Sequence, residues 1–505
     1  MRTSSPQSIP PPVGWGVFFY IPVITLSFLD ILILVLYFVA VLVVGFRAAR
    51  KTSSTEDDFL LAGRSLTLPL FVMTLVSTWY GGILGVGEFS YLYGISNWVV
   101  MGIPYYIFAA VFAFFLAKKI RATSLYSIPD KLHQSYDLKT AVLGAGLTFI
   151  LTNPAPYVLM LAVFFQILFG WSLAISIAVT AIVAFSYLYY GGFRSDIATD
   201  VLEFFLMFLG FAVIIPFAVG HFGGIEFLKA NLPPLHLTWH GGNSIQFILV
   251  WFFIALWTLV DPAFHQRCYA AKNGAVAQRG ILISILFWFV FDTMTVTAGL
   301  YARAALPNME QPMMAYPMLA EAVLPPIAKG LFYVGMLATI MSTLNTLGFV
   351  SAQTLGRDIV LRIKQKSLQF GEVVTPSKGQ SKFSDASTRG TQYGLILSFI
   401  LSTALAVAIP SVIRLWYSIG TVVIPGLLIP LIASYFRRLT IPASYAFSAM
   451  LGGWLVSSCW LAVGVVLSGT STPTYPYGIE PMYPGLIFSL FMWIFGRLRV
   501  RRSNA

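Results

Sequence analysis

Among the carboxylates that stand in or beside long apolar runs of this chain are Glu88, Asp200, Asp261 and Asp292. Placing such a group within hydrocarbon costs about 2.5–3.5 kcal/mol on insertion scales, so Asp200 is expected either to be paired or to relay a cation. Asp292 could balance Arg303. A second pattern is Ser342-Thr343, two adjacent hydroxyls in an apolar run. Hydroxyls and free carbonyls suit a small hard cation, but helical hydroxyls also bond back to their own backbone, and these residues alone leave both readings open. Hydrolytic chemistry finds little support. The histidines (His133, His221, His236, His240 and His265) read as link or edge residues without HExxH spacing. An enzyme is not expected. Cys268 and Cys459 are too far apart to imply a disulfide framework.

The elements that must position these groups are apolar helices. Of 505 residues, 58% are hydrophobic and 10% charged, and mean hydropathy is +0.81. An ordinary soluble chain carries about 25% charged residues, so a water-soluble enzyme is excluded. Thirteen apolar stretches are long enough to span a bilayer: near 26–46, 68–91, 97–117, 141–169, 172–190, 199–219, 244–260, 280–302, 326–353, 391–411, 412–436, 441–468 and 482–496. Continuous runs point to helices and away from a barrel. The fold class is an all-α polytopic membrane protein.

Basic residues set the orientation. Alternate links carry 26 of the 31, among them Arg194, Arg267, Arg357 and Arg362. The positive-inside rule then puts the N-terminus outside and the C-terminus in the cytoplasm. The net charge of +12 is thus an orientation signal and implies no nucleic-acid partner. Residues 1–25 read as an extracytoplasmic tail without a cleaved signal, and the polar link 356–390 as a flexible connector.

After a leading helix and link (26–67), ten spans form two sets of five, 68–219 and 244–436, with two additional helices in 437–505. Five is odd, so the second set lies inverted relative to the first, as in transporters whose cargo binds at unwound helices. The leading span of each set is interrupted, by Gly81-Gly82 in one and by Asp261-Pro262 in the other. Broken first and sixth core helices follow.

Four segments in this order resemble the sodium:solute symporter family, which includes the bacterial proline, pantothenate, sialic acid and sugar carriers. They are DDFLLAGRSL (57–66), GGFRSDIATDVLEF (191–204), DPAFHQRCYAAKN (261–273) and LATIMSTLNTLGFVSAQTLGRDI (337–359). The resemblance implies a LeuT-type core and a sodium-coupled symporter importing a small organic solute by alternating access. Its sodium ligands fall on Val76, Trp79, Thr339, Ser342 and Thr343. Some members hold a second sodium, whose matching positions are Ser342, Asn345, Thr346 and Asp200; Asn345 departs from the small hydroxyls of those members.

The solute pocket is expected beside both breaks, with Thr78, Tyr80, Glu88, Tyr157, Trp257, Asp261 and Trp416 as candidates. Sodium is the coupling ion and the bilayer the surroundings. The resemblance further implies a functional monomer in a bacterial inner membrane. Proton coupling through Asp200 or Glu88 is the alternative, and a nutrient sensor a weaker one.

Overall fold

A computed structural model describes residues 24–53, 55–364, 378–409, 412–468 and 475–504. The expected tail thus lies almost wholly outside the described residues, as does the middle of the 356–390 link. Among the described residues, ten helices are long and apolar enough to cross a membrane, or eleven with one bent pair counted as a span.

The leading helix α1 (Phe28–Ala49) is capped by Ser27 and Asp30 in a reciprocal capping box. The first core helix is split into α2 (Leu68–Ser77) and α3 (Ile83–Tyr93), bent by 60° across a tight turn at Thr78–Tyr80. Next in the argument comes α4 (Leu173–Phe222), 50 residues long. Its length of about 75 Å exceeds a bilayer core of about 30 Å twofold, and it breaks at Gly192 (φ 53°, ψ −141°). A Cβ there would lie 2.4 Å from the Phe59 carbonyl oxygen, so only glycine turns the chain at this point. The stretches expected as spans at 172–190 and 199–219 lie on either side of this break. The expected span at 482–496 lies in a helix, Met482–Asn504, that is not among those long and apolar enough. Length and apolarity alone thus give fewer spans than the thirteen expected.

The sixth core helix is broken as the Asp-Pro pair requires. It runs as α5 (Ile245–Ile254), a short turn Trp257–Val260, and α6 (Pro262–Ala270). Proline at N1 of α6 lacks only an amide that a helix start leaves unpaired. The apolar run was expected to stop at 260, with Arg267 and His265 in a water-exposed link; instead α6 stays inside the bundle, and both residues are buried. Residues 66 and 270–272 tie the lower ends of the two broken helices together, through Leu66 N–H to Ala270 O (3.1 Å) and Lys272 N–H to Leu66 O (2.9 Å).

Helices α7 (Gly274–Ala305), α8 (Ala328–Gln353), α9 (Lys378–Ala408) and α10 (Val412–Ser434) complete the core. The most apolar stretch of α8 is wholly buried, whereas those of α1 and of the late helix Ala443–Ser468 are mostly exposed to the surroundings. Thus α8 is the axis around which the others pack. The chain continues helically past α8 through Thr354–Leu361 to Lys364, and α9 begins at Lys378. Only 365–377 of the expected flexible connector falls outside the described residues.

Candidate functional site

The two breaks face one cavity of about 150 Å³. Thr78, Tyr80 and Gly82 line it from the first break, Trp257 and Asp261 from the second, and Tyr157 and Trp416 from neighbouring helices. Gly82 is obligatory there, since a Cβ would sit 1.7 Å from Cη2 of Trp416. The Trp416 ring stands 6.1 Å from that of Tyr157. Asp261 caps α6, its Oδ1 accepting from the amides of Ala263 (2.7 Å) and Phe264 (3.1 Å).

Of the seven expected solute residues, Glu88 is the one the cavity does not include. Val86 lines the wall, and two residues further along a helix the side chain has turned about 200°. Asp292 takes a place in that wall, accepting a short hydrogen bond from the Tyr106 hydroxyl. It does not balance Arg303, whose guanidinium lies over the Tyr91 ring and donates to the Tyr91 hydroxyl at 3.2 Å.

Beneath the cavity lies a buried polar layer. Thr343, on α8, donates through Oγ1 to the carbonyl of Thr78 (2.7 Å), so the eighth helix touches the first at its break. The other expected sodium ligands are nearby but differently engaged. Thr339 donates to Met336 O (2.7 Å), Ser342 donates to Asp200 Oδ1 (2.7 Å), and the Val76 carbonyl accepts the amide of Thr78. Trp79 lines the cavity.

Two of the four residues expected to hold a second sodium, Asp200 and Thr346, contact a guanidinium instead. Arg267 Nη2 lies 2.6 Å from Thr78 Oγ1, 3.0 Å from Thr346 Oγ1 and 3.1 Å from Asp200 Oδ2, and Nε donates to Thr74 Oγ1 at 2.7 Å. Arg267 is fully buried, which corrects its assignment to a link; charge-assisted bonds to a carboxylate and three hydroxyls replace its hydration. Asn345 instead donates to the Tyr187 hydroxyl at 2.5 Å. The sequence reading also missed two acids. Asp196 Oδ2 accepts from Thr346 (2.8 Å), and Glu203 Oε1 from Tyr37 (3.2 Å). Both are buried. With Asp200 they stand at i, i+4 and i+7 on α4, and that spacing was the available signal.

A second ionic cluster closes the end of the bundle that carries the basic links. Arg357 pairs with Glu56 (2.6 Å), Asp130 (3.0 Å) and Asp358 (2.5 Å), and Arg362 with Asp130 (2.5 Å) and Asp358 (3.2 Å). Both arginines, expected in a solvated link, are buried. Asp130 sits in the short helix Ile128–Ser135 between spans. Burial opposes its ionisation, but Arg357 and Arg362 outweigh that and hold its carboxyl down at about 2. Among the described residues, no group of three His, Cys, Asp or Glu side chains is arranged to hold a metal ion.

A bundle with two broken helices facing one cavity, over a buried hydroxyl and ion-pair layer, defines a secondary transporter of the broken-helix class. The sodium:solute symporter family model matches residues 59–374, and the chain belongs to that family. It is a multi-pass membrane transporter, not an enzyme. It is 25% identical to the sodium/pantothenate symporter of Escherichia coli (strain K12), over 92% of this chain and 95% of that one. It is 23% identical to the high-affinity choline transporter 1 of Drosophila melanogaster, over 76% of this chain and 63% of that one. Its fold matches that of a Na+-coupled sialic acid symporter in an outward-open state, with a TM-score of 0.72, 16% identity, and coverage of 94% and 97%.

Proposed function

We propose that the chain imports a small organic solute together with sodium by alternating access, with the N-terminus outside and the C-terminus cytoplasmic. The observation that carries this reading is the contact between Thr343 and the Thr78 carbonyl at the break of the first core helix. A cation entering there exchanges that hydrogen bond for coordination by the Thr343 hydroxyl and freed carbonyls, with Val76, Trp79, Thr339 and Ser342 around it. Sodium thereby couples the shape of the broken helix to α8. The solute then binds in the cavity above, the outer side closes, and both leave on the side of the basic links.

Arg267 stands among the oxygens of the second cation position, which favours one sodium per cycle. A single sodium is sufficient. Crossing ~100 mV yields roughly 2.3 kcal/mol and a tenfold gradient about 1.4, enough together for roughly 500-fold accumulation. The relatives named above differ in their solutes, so their names do not fix the one carried here.

The test is the melting temperature of purified protein, titrated with NaCl at constant ionic strength against KCl. Sodium should raise it selectively, and Ser342→Ala with Thr343→Ala should remove the rise. A sodium response undiminished in that double variant would sink the site assignment. A proton-coupled reading has its own observation: among the described residues, Asp196 Oδ1 and Glu203 Oε2 are buried without hydrogen-bond partners, and burial without a partner disfavours the charged form of a carboxyl. Ion flux in proteoliposomes driven by a pH gradient in sodium-free buffer would establish that reading.

A further inference from the structure

The chemistry of the cavity wall is one-sided. Among the described residues no lysine, arginine or histidine lines it, while two carboxylates, Asp261 and Asp292, do. Arg267, the cation beneath, already has five acceptors within 3.5 Å: Thr74, Thr78, Thr346, Asp200 and the Ala263 carbonyl. Three of these acceptors crowd on Nη2, and Arg267 is not among the residues that line the cavity. A carboxylate or phosphate placed in the cavity would meet two carboxyl groups and no basic side chain in the wall, and in a low-dielectric site an anion without a counter-charge is costly.

The rest of the wall is aromatic. Trp79, Tyr105, Tyr157, Trp257 and Trp416 all line it, and all are half-buried. They are held apart by edge and tilted packing. Trp79 meets Tyr105 at 5.1 Å and 73°, and Tyr157 meets Trp416 at 6.1 Å and 49°. Trp79 also packs on Phe264 (5.6 Å, 73°) and Trp288 (5.2 Å, 33°), which fixes its place in the wall. Indole and phenol faces carry negative quadrupole charge, and several of them around one space is the arrangement that receives an organic cation. Each carboxylate has in addition a structural bond that fixes its direction, Asp261 to the α6 amides and Asp292 to Tyr106.

We propose that the solute is a small organic cation, a protonated amine or a quaternary ammonium ion, caged by Trp79, Tyr105, Tyr157, Trp257 and Trp416 with Asp261 and Asp292 as counter-charges. This rests on the sodium-symport reading and deepens it. A bound organic cation gives Asp261 and Asp292 a counter-charge that the cavity wall itself does not supply. Buried charge is tolerated only when paired, and the organic cation supplies the pairing.

The experiment uses the full chain, purified in detergent with and without about 100 mM NaCl, close to physiological ionic strength, and reads tryptophan fluorescence and melting temperature. The probes are choline, ethanolamine, pantothenate, and 3,3-dimethylbutan-1-ol, the uncharged carbon analogue of choline. Saturable binding of choline or ethanolamine, at least ~10-fold tighter than the neutral analogue and promoted by sodium, is the expected result. The choline-to-ethanolamine ratio then separates a quaternary from a primary ammonium preference. Asp292→Asn and Trp416→Leu should each weaken the cation by ~10-fold or more, with the sodium-induced rise in melting temperature kept. Tighter binding of pantothenate, equal binding of the neutral analogue, or no response to either cation while the sodium rise is intact would each overturn the proposal. Loss of the sodium rise in the unsubstituted chain would instead count against the sodium reading, and the cation preference would still be read directly from the probes.

Discussion

The guanidinium of Arg267, on α6, and the carboxylate of Asp200, on α4, lie 3.1 Å apart with no exposed surface on either side chain. Each therefore depends on the other for its charge. Truncating one partner of such a pair is strongly destabilising, by about 3–5 kcal/mol, because the other charge is left buried and uncompensated. Arg267→Ala should thus lower the melting temperature sharply in detergent. Asp200→Asn combined with Arg267→Gln removes both charges and should recover much of that loss. A double variant as unstable as Arg267→Ala would show that the hydroxyl contacts to Thr74, Thr78 and Thr346 matter more than the ion pair.

The hydroxyl of Thr343 and its methyl group can be separated by substitution. Thr343→Ser keeps the donor that reaches the Thr78 carbonyl; Thr343→Val keeps the shape and removes it. If the hydroxyl is a sodium ligand, the half-saturating sodium concentration in the melting assay should rise ~10-fold or more for valine, corresponding to about 1.4 kcal/mol. It should stay close to the unsubstituted value for serine. Equal effects from both would assign Thr343 to packing.

The breaks were legible in the sequence because they are written in residues with a local backbone meaning, Gly81-Gly82 and Asp261-Pro262, and the cavity forms beside them. Thr78, Tyr157, Trp257 and Trp416 came with that placement. Arg267 did not, because counting basic residues treats each one beyond an apolar run as solvated. A broken helix continues past its break, and α6 carries Arg267 five residues beyond Pro262, still inside the bundle. Arg357 and Arg362 were misread in the same way. Their partners Glu56 and Asp130 lie more than 200 residues away in sequence, and no local pattern announces such a pairing. Glu88 failed for the opposite reason: it is near the break in sequence but faces away from it.

The close approach of Gly82 to Trp416 gives a paired test of the cavity wall. Gly82→Ala would drive its new Cβ to within 1.7 Å of the Trp416 ring, so either the indole leaves its place or the first core helix shifts. Overpacking of this kind typically costs about 1–3 kcal/mol, and ligand-dependent changes in tryptophan fluorescence should be lost with it. Adding Trp416→Ala makes room and should restore most of the stability without restoring the fluorescence response. Stability restored together with that response would remove Trp416 from the solute site.

Asp130 sets the acid limit of the ionic cluster at the basic-link end of the bundle. Burial raises its pKa, but Arg357 and Arg362 overcome this and bring it from 3.8 to about 2. A carboxyl whose folded pKa is depressed stabilises the fold above its unfolded pKa and loses that contribution as pH falls through the folded one. The contribution is therefore complete above pH ~4 and disappears between about 4 and 2, and a shift of nearly two units corresponds to about 2 kcal/mol. Melting temperature followed from pH 7 to pH 2 should fall through this window in the unsubstituted chain. Asp130→Asn should start lower at neutral pH, because Arg357 and Arg362 each lose an ionic partner, and its curve should be flatter between pH 4 and 2. A variant curve parallel to that of the unsubstituted chain down to pH 2 would show that Asp130 does not carry the acid sensitivity.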